Sequence, residues 1–179
     1  SRFWHHVLYD LGLVSTKEPF KKLYNQGMIL GDDGTKMSKS RGNVINPDEI
    51  MDEYGSDSMR LYEMFMGPLN KSKPWSTKGL QGCYRFVNKL WSIIVDENGD
   101  LCSKIEEEYK DDTETLFLHH QTIKKLADDI ENLHFNTAVS QLMIYCNHLQ
   151  KCNKISKRLI EELVIILSPF APHLSEELW

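Results

Sequence analysis

The sequence lacks the features that mark a membrane or secreted protein. No apolar run approaches the ~20 residues that a bilayer-spanning helix needs. The opening residues, SRFWHHVLYDLG, contain neither an apolar core nor the small-residue cleavage site of a signal peptide. We therefore expect a chain without a signal peptide or membrane anchor, located in the cytoplasm.

Cysteine is scarce, and its spacing excludes a disulfide framework or a zinc site. The four cysteines form no C-x-x-C pair and have no histidine nearby at the spacing of metal ligands. We expect all of them to be reduced thiols, as is usual for cytoplasmic proteins. They are Cys83, Cys102, Cys146 and Cys152.

Cations are outnumbered, with 21 Lys and Arg against 26 Asp and Glu and a net charge of −5. This balance excludes general affinity for nucleic acid. The charges are unevenly spread, because residues 68–95 hold five cations and no acid, whereas residues 96–114 hold nine acids and two lysines. The acid-free stretch indicates either a local contact with a phosphate backbone or a merely solvated surface.

The first part of the chain predicts short elements. Apolar residues within 3–11 lie on one face of a helix that Gly12 ends. Residues 27–30, GMIL, fit a short buried strand. The pair Asp33-Gly34 then predicts a tight type I′ turn, because that turn needs positive φ and this pair tolerates it. The segment that follows would lie on the returning arm of a hairpin.

Two capped helices are predicted next. Asn46 can cap a helix, and Pro47 suits its first position. That helix ends at Gly55, and a second one runs from Ser56 to Gly67.

Beyond the loop NKSKPW, residues 70–75, only longer helices are predicted. Apolar residues form four stripes at helical spacing, which is typical of an antiparallel bundle. The stripes are Leu80, Cys83, Val87, Leu90, Trp91 and Ile94; Leu116, His120, Ile123, Ala127 and Ile130; Val139, Leu142, Met143, Cys146 and Leu149; and Leu159, Leu163, Ile166 and Leu167. We predict a mainly α protein with two domains, 1–70 and 71–179.

The segment GDDGTKMSKSRGNVINP, residues 31–47, is suited to bind an anion. Its glycines let the backbone approach a ligand, and Ser38 and Ser40 supply hydroxyl donors. Mobile lysines suit a phosphate chain whose charge shifts during a reaction. The loop is not of the Walker A type, because no G-x-x-x-x-G-K-[ST] is present. Its three cations are Lys36, Lys39 and Arg41.

The stretch KMSKS, residues 36–40, resembles the second signature of the class I aminoacyl-tRNA synthetases. The resemblance extends over the entire chain and is closest to the bacterial-type leucyl-tRNA synthetases. The segments that carry it are EPFKKLYNQGMIL, YGSDSMRLYEMFMGP, KPWSTKGLQGCYRFVNKLW, NTAVSQLM and LSPFAPHLSEELW.

The resemblance implies that residues 1–70 are the end of a Rossmann-type catalytic core with its KMSKS loop and stem-contact-like helices. It implies that Lys36 and Lys39 are catalytic, closing over ATP and neutralising its triphosphate as leucine attacks the α-phosphorus. No metal ligand is expected in the chain, since the family holds Mg²⁺ and ATP mainly with other parts. The implied ATP-binding residues are Met28, Ile29, Lys36, Met37, Ser38, Lys39 and Ser40.

The same resemblance implies that residues 71–179 are an incomplete anticodon-binding bundle of a monomeric enzyme, with tRNA(Leu) as partner. Trp75 is expected to pack on the bundle rather than on a base. The H-x-G-H signature, the leucine pocket and the editing domain lie outside this sequence, so we expect the chain alone to be inactive. The implied tRNA contacts are Lys71, Lys73, Lys78, Arg85 and Lys89.

Three alternatives stay open at this point. An isoleucyl- or valyl-tRNA synthetase would share the KMSKS loop and its flanks. A non-catalytic helical RNA-binding or interaction module could retain such a loop without the reaction. A nucleotidylyltransferase shares the reaction geometry but would not need the helical bundle.

Overall fold

The computed structural model describes all 179 residues and is mainly helical, as predicted. No helix in it is long and apolar enough to cross a bilayer. The helices are α1 (Arg2–Asp10), α2 (Pro47–Tyr54), α3 (Ser56–Phe65), α4 (Thr77–Ile94), α5 (Thr113–Glu131), α6 (Phe135–Lys151), α7 (Lys157–Leu167) and α8 (Pro172–Leu178). The strands are β1 (Ile29–Leu30), β2 (Lys73–Pro74), β3 (Ile105–Glu106) and β4 (Ile155–Ser156), and one 3₁₀ turn covers Lys39–Arg41.

The first helix forms where the sequence predicts it and ends before Gly12, whose φ is +71°. Its apolar residues do not join the core, however. Phe3 is 73% exposed and Trp4 is 67% exposed. An Arg2–Glu18 ion pair of 2.7 Å links the helix to the loop that follows it.

The hairpin after β1 is confirmed, but its turn type is not the predicted one. Leu30 and Lys36 form an antiparallel bridge, and the Gly31 N–H donates to the Thr35 carbonyl at 2.8 Å. Gly34 has a φ of +72°, whereas Asp33 has no positive φ, so a type I′ turn is excluded. The longer turn forms because the Asp33 carboxylate accepts the Thr35 N–H at 2.9 Å.

The GMIL segment is only half-buried, so the predicted buried strand is corrected. Its strand, β1, pairs in parallel with β2 through Ile29–Lys73 and Leu30–Pro74. Met28, just before β1, is 47% exposed, whereas Ile29 and Leu30 are half-buried.

The helix starts and ends around the loop are confirmed. The Asn46 side chain accepts the Asp48 N–H at 3.2 Å, and Pro47 occupies the first helical position of α2. This helix ends at Gly55, with a φ of +82°, and α3 begins at the next residue.

One hydrophobic core of 25 buried residues joins α3 to the bundle. Leu61 and Tyr62 of α3 belong to it, and α3 contacts α4, α6 and α8. Trp75 is buried with its ring 5.0 Å from that of Tyr62, as expected of a packing residue. A second parallel pair, β3 with β4, ties the acidic loop to the start of α7. The domain boundary near residue 70 stays a prediction.

The start of α8 is attached to the start of α3. The Asp57 carboxylate accepts the Leu174 N–H at 2.6 Å and contacts His173 Nδ1 at 2.9 Å. Arg60 donates to the Pro169 carbonyl at 3.0 Å. The second helix after the KMSKS loop, α3, is therefore bonded directly to the end of the bundle.

Each buried position of α5 lies one residue before the corresponding position of the predicted stripe. Ala127 and His120 are exposed, and the other three members of the stripe are only half-buried. The buried positions carry mostly polar side chains, which pair with each other or with neighbouring helices and therefore tolerate burial. They are Thr115, His119, Thr122, Leu126 and Asp129.

Candidate functional site: the KMSKS loop and a basic helix face

The KMSKS loop leaves β1 through the hairpin and enters α2 through the 3₁₀ turn. Lys36 pairs with Leu30 at the end of the hairpin, and Ser38 stands immediately before the turn that Lys39 begins. Gly42, with a φ of +67°, ends the turn. The hydroxyls of Ser38 and Ser40 lie 2.8 Å apart, so the two serines bond to each other within the loop.

The cations of the loop are exposed and unpaired. The ion pairs of the structure involve none of Lys36, Lys39 and Arg41. Met37, between the lysines, is half-buried against the core and anchors the segment. Two lysine ammonium groups are thus held on a fixed stretch of backbone and are available to an anion.

Asn43 organises the backbone of this loop. Its side-chain carbonyl accepts the Ser38 N–H at 2.8 Å. Its amide donates to Thr35 Oγ1 at 3.1 Å and to both carboxylate oxygens of Asp33 at 3.3 Å. Hydrogen bonds from Thr35 lower the pKa of Asp33, so this carboxylate stays charged and accepting at neutral pH.

The predicted adenine-side residues lie at the base of the loop. The Met28 N–H donates to Ser72 Oγ at 3.1 Å, and the Met28 carbonyl accepts the Lys73 N–H at 3.0 Å. Ile29 is half-buried in β1. Met28 directly precedes β1 and Ile29 begins it, so both residues lie beside β2 at the base of the hairpin.

Three of the five predicted tRNA contacts lie on one face of α4. Lys78, Arg85 and Lys89 are seven and four residues apart, which places them on the same side of a helix. Gly82 belongs to this face as well, and neither α4 nor α6 contains an acidic residue. We call these four residues the basic face of α4.

The basic face borders a groove between α4 and α6. Lys89 donates to Asn147 Oδ1 of α6 at 2.7 Å, and Arg85 is exposed. The groove encloses about 170 Å³. It is lined by Gly82, Arg85, Phe86, Lys89, Met143 and Asn147.

The other two predicted contacts lie in the loop before α4. Lys71 is exposed, whereas Lys73 is half-buried and donates to the Gly67 carbonyl at 2.9 Å. Burial lowers the pKa of Lys73. Lys73 thus differs from the exposed cations, because its ammonium group is used to hold the loop at Gly67.

The histidines and acids form no metal site. No group of three or more His, Cys, Asp or Glu side chains is close enough to hold a metal ion. His119 is fully buried between Tyr145 Oη and Glu162, at 2.7 Å from each, while His120 is exposed. The sequence placed His120 on the apolar stripe of α5, but the structure buries His119 instead.

The hydrogen bonds of Asn43 were not predicted from the sequence. Asp33 and Gly34 indicated a turn, but no local signal shows that Asn43, ten residues later, bonds to that turn. Its position directly after a cationic loop is the only hint in the sequence, because an amide can both donate and accept.

Two family models match separate parts of the chain. Residues 1–75 match the family of class I tRNA synthetases (I, L, M and V), and residues 112–179 match an anticodon-binding domain of tRNA ligase. The two parts of the chain thus match a class I tRNA synthetase family and an anticodon-binding domain, in the order that the sequence resemblance implied.

Within this class the chain is similar to the leucine–tRNA ligases. It is 55% identical over all 179 residues to the leucine–tRNA ligase of Chloroherpeton thalassium and 54% identical to that of Chlorobaculum tepidum. It spans 22% of the length of each of these relatives.

A solved structure shows the same arrangement. A crystal structure of Agrobacterium radiobacter K84 agnB2 LeuRS, in a ternary complex with tRNA and LeuAMS, matches the whole chain with a TM-score of 0.79 and 35% identity. The match covers 25% of that chain. The predicted resemblance to leucyl-tRNA synthetases is thereby confirmed.

Proposed function

We propose that this chain acts as part of a leucine–tRNA ligase, which joins leucine to ATP as leucyl-adenylate and transfers leucine to tRNA(Leu). The observation that carries the proposal is the identity of 54–55% to leucine–tRNA ligases over the whole chain. It is supported by a KMSKS loop whose lysines are exposed and unpaired.

The role of the loop is to stabilise moving negative charge. As the leucine carboxylate attacks the α-phosphorus, the bond to pyrophosphate breaks and charge builds up on the leaving group. Lys39, with Lys36, neutralises that charge. This interaction stabilises the transition state more than it stabilises bound ATP. Ser38, Ser40 and Met37 hold the loop while Met28 and Ile29 lie on the adenine side.

Magnesium would assist the reaction by shielding the phosphates. The residues of this chain do not fit such an ion, because no cluster of potential ligands forms. We therefore assign no Mg²⁺ ligand here and assign to this chain only the two lysines as charge-neutralising groups.

The helical part contributes to tRNA binding. The basic face of α4 and the groove beside it offer cations without competing carboxylates, which is what a phosphate backbone requires. Lys71 extends this surface, and Lys73 supports the loop that carries it. We also propose a monomer in the cytoplasm, where the four free cysteines of the chain would stay reduced.

The test is ATP–pyrophosphate exchange by the full-length protein that carries this segment, with leucine, isoleucine, valine and methionine in turn. We expect exchange with leucine alone. Exchange with isoleucine or valine would keep the loop chemistry and overturn the leucine assignment, while exchange with none would favour a binding module. The 179-residue chain itself is expected to show no exchange.

A further inference from the structure

The hydrogen bonds of Asn43 connect three separate parts of the loop. Its amide reaches the hairpin turn at Asp33 and Thr35, and it lies 3.4 Å from the Lys36 carbonyl. Its carbonyl accepts the Ser38 N–H. One side chain thus joins the hairpin turn to the KMSKS segment. We call this set of Asn43 hydrogen bonds the bracket.

The bracket is closely packed. Gly31 is buried beneath it, and a Cβ on this glycine would lie 2.9 Å from both Asn43 Nδ2 and Asp33 Oδ1. A real Cβ does not come so near, so the absence of a side chain at Gly31 is what lets Asn43 reach the turn. The hydrogen bonds of Asn43 therefore depend on a glycine at position 31.

The bracket fixes backbone and leaves charge free. It holds the chain at Lys36 O and at Ser38 N, on either side of Met37 and immediately before Lys39. Neither lysine side chain is used in it. A fixed backbone with free ammonium groups reduces the conformational search that each lysine must make toward a phosphate.

We propose that Asn43 is a positioning residue for the ATP step, holding the KMSKS backbone in the frame of the hairpin so that Lys36 and Lys39 face the triphosphate. This inference rests on the proposed function. Asn43 itself touches no substrate in this role and acts through the backbone of the lysines.

The test uses the full-length protein that carries this segment and four variants. In Asn43→Ala the bracket is lost, and in Asn43→Asp the Ser38 acceptor remains while a carboxylate faces Asp33. Because misplaced catalytic groups lower the rate steeply, we expect kcat for exchange to fall roughly 10- to 100-fold in both, with an unchanged KM for leucine. Asn153→Ala, an exposed control without side-chain hydrogen bonds, should behave as wild type.

The fourth variant exchanges the two groups. In the double substitution Asp33→Asn with Asn43→Asp, the amide at position 33 can donate to the carboxylate at position 43, which still accepts the Ser38 N–H. We expect this swap to recover most of the rate lost in Asn43→Asp. Failure of the swap to recover any rate would contradict the bracket.

A second readout does not depend on activity. Amide hydrogen exchange at Ser38 should be slow in the wild type and in the swap, and fast in Asn43→Ala, with an unchanged Tm. A wild-type protein without pyrophosphate exchange would overturn the proposed function and the ATP role with it. Wild-type activity in Asn43→Ala would overturn the positioning role alone.

Discussion

At the scale of single residues, His119 shows how this protein buries polar groups. One ring nitrogen contacts Tyr145 Oη and the other contacts Glu162, each at 2.7 Å, and the imidazole has no exposure to solvent. Glu162 also accepts a hydrogen bond from Arg158 at 2.8 Å. The buried polar side chains of α5 have hydrogen-bond partners, so this face is stable without being apolar.

The charge of Glu162 makes part of this stability pH-dependent. Hydrogen bonds from Arg158 and from His119 lower its pKa below the ordinary 4.5. A carboxyl with a lowered folded-state pKa stabilises the fold above its unfolded pKa, and this share is lost as the pH falls through the folded value.

We therefore expect Glu162→Gln to lower the free energy of unfolding by about 1 kcal/mol near pH 7, and by much less near pH 3. Urea unfolding of this chain at the two pH values measures the difference. Glu131→Gln, an exposed glutamate of α5 that forms no ion pair, is the matched control and should leave the free energy of unfolding unchanged at both pH values. An equal loss at both pH values would mean that the charge of Glu162 does not contribute.

Sequence reasoning at this scale succeeded where the signal was local. The Asn46 cap, the Pro47 start and the Gly55 end depend on neighbours along the chain, and all three are confirmed. The α5 stripe was wrong because partners on other helices make polar burial at His119 and Thr122 favourable. The bonds of Asn43 could not be predicted, because they join residues that only the folded hairpin brings together.

At the scale of elements, α4 is both a core helix and a charged surface. Leu80, Cys83 and Leu90 are fully buried on one side. On the basic face, Lys78 is exposed, and Arg85 and Lys89 line the groove beside α6. The apolar stripe predicted for α4 is buried at Leu80, Cys83, Leu90 and Ile94, but Trp91 is 38% exposed. The role of Lys73 was not predictable, since its partner carbonyl at Gly67 lies in a loop.

We expect Lys78→Glu combined with Arg85→Glu to weaken binding of tRNA(Leu) by the full-length protein that carries this segment. Each lost phosphate contact should reduce the steepness of log K against log salt by about 0.7 to 0.9. Filter binding or fluorescence anisotropy over a range of salt concentrations measures both quantities.

The matched control is Lys124→Glu on α5, an exposed lysine outside the basic face and outside all ion pairs. It should leave the slope unchanged. If the α4 variant has the slope of wild type, the basic face is solvated surface and the tRNA contacts lie elsewhere.

At the scale of the whole molecule, contacts distant in sequence connect the loop to the bundle. The parallel pair β1–β2 links the base of the hairpin to the loop before α4, and Asp57 links α3 to α8. The mainly helical class followed from periodicity alone. These connections did not, because two-residue strands and a single carboxylate leave no pattern in the sequence.

This architecture presents the KMSKS loop on a rigid base. The helix that follows it, α2, packs on α3, and α3 is part of the same core as the bundle. We therefore expect substitutions in the loop to change the chemistry of the ATP step while the fold remains intact.

The measurement that tests the central claim most directly is leucine-dependent ATP–pyrophosphate exchange by the full-length protein, comparing wild type with Lys39→Ala. We expect kcat to fall about 100-fold or more, as for other groups that stabilise transition-state charge, with an unchanged KM for leucine. Lys22→Ala, an exposed lysine outside the loop, should match wild type. Exchange by Lys39→Ala at the wild-type rate would contradict the account, because the loop would then take no part in the ATP chemistry.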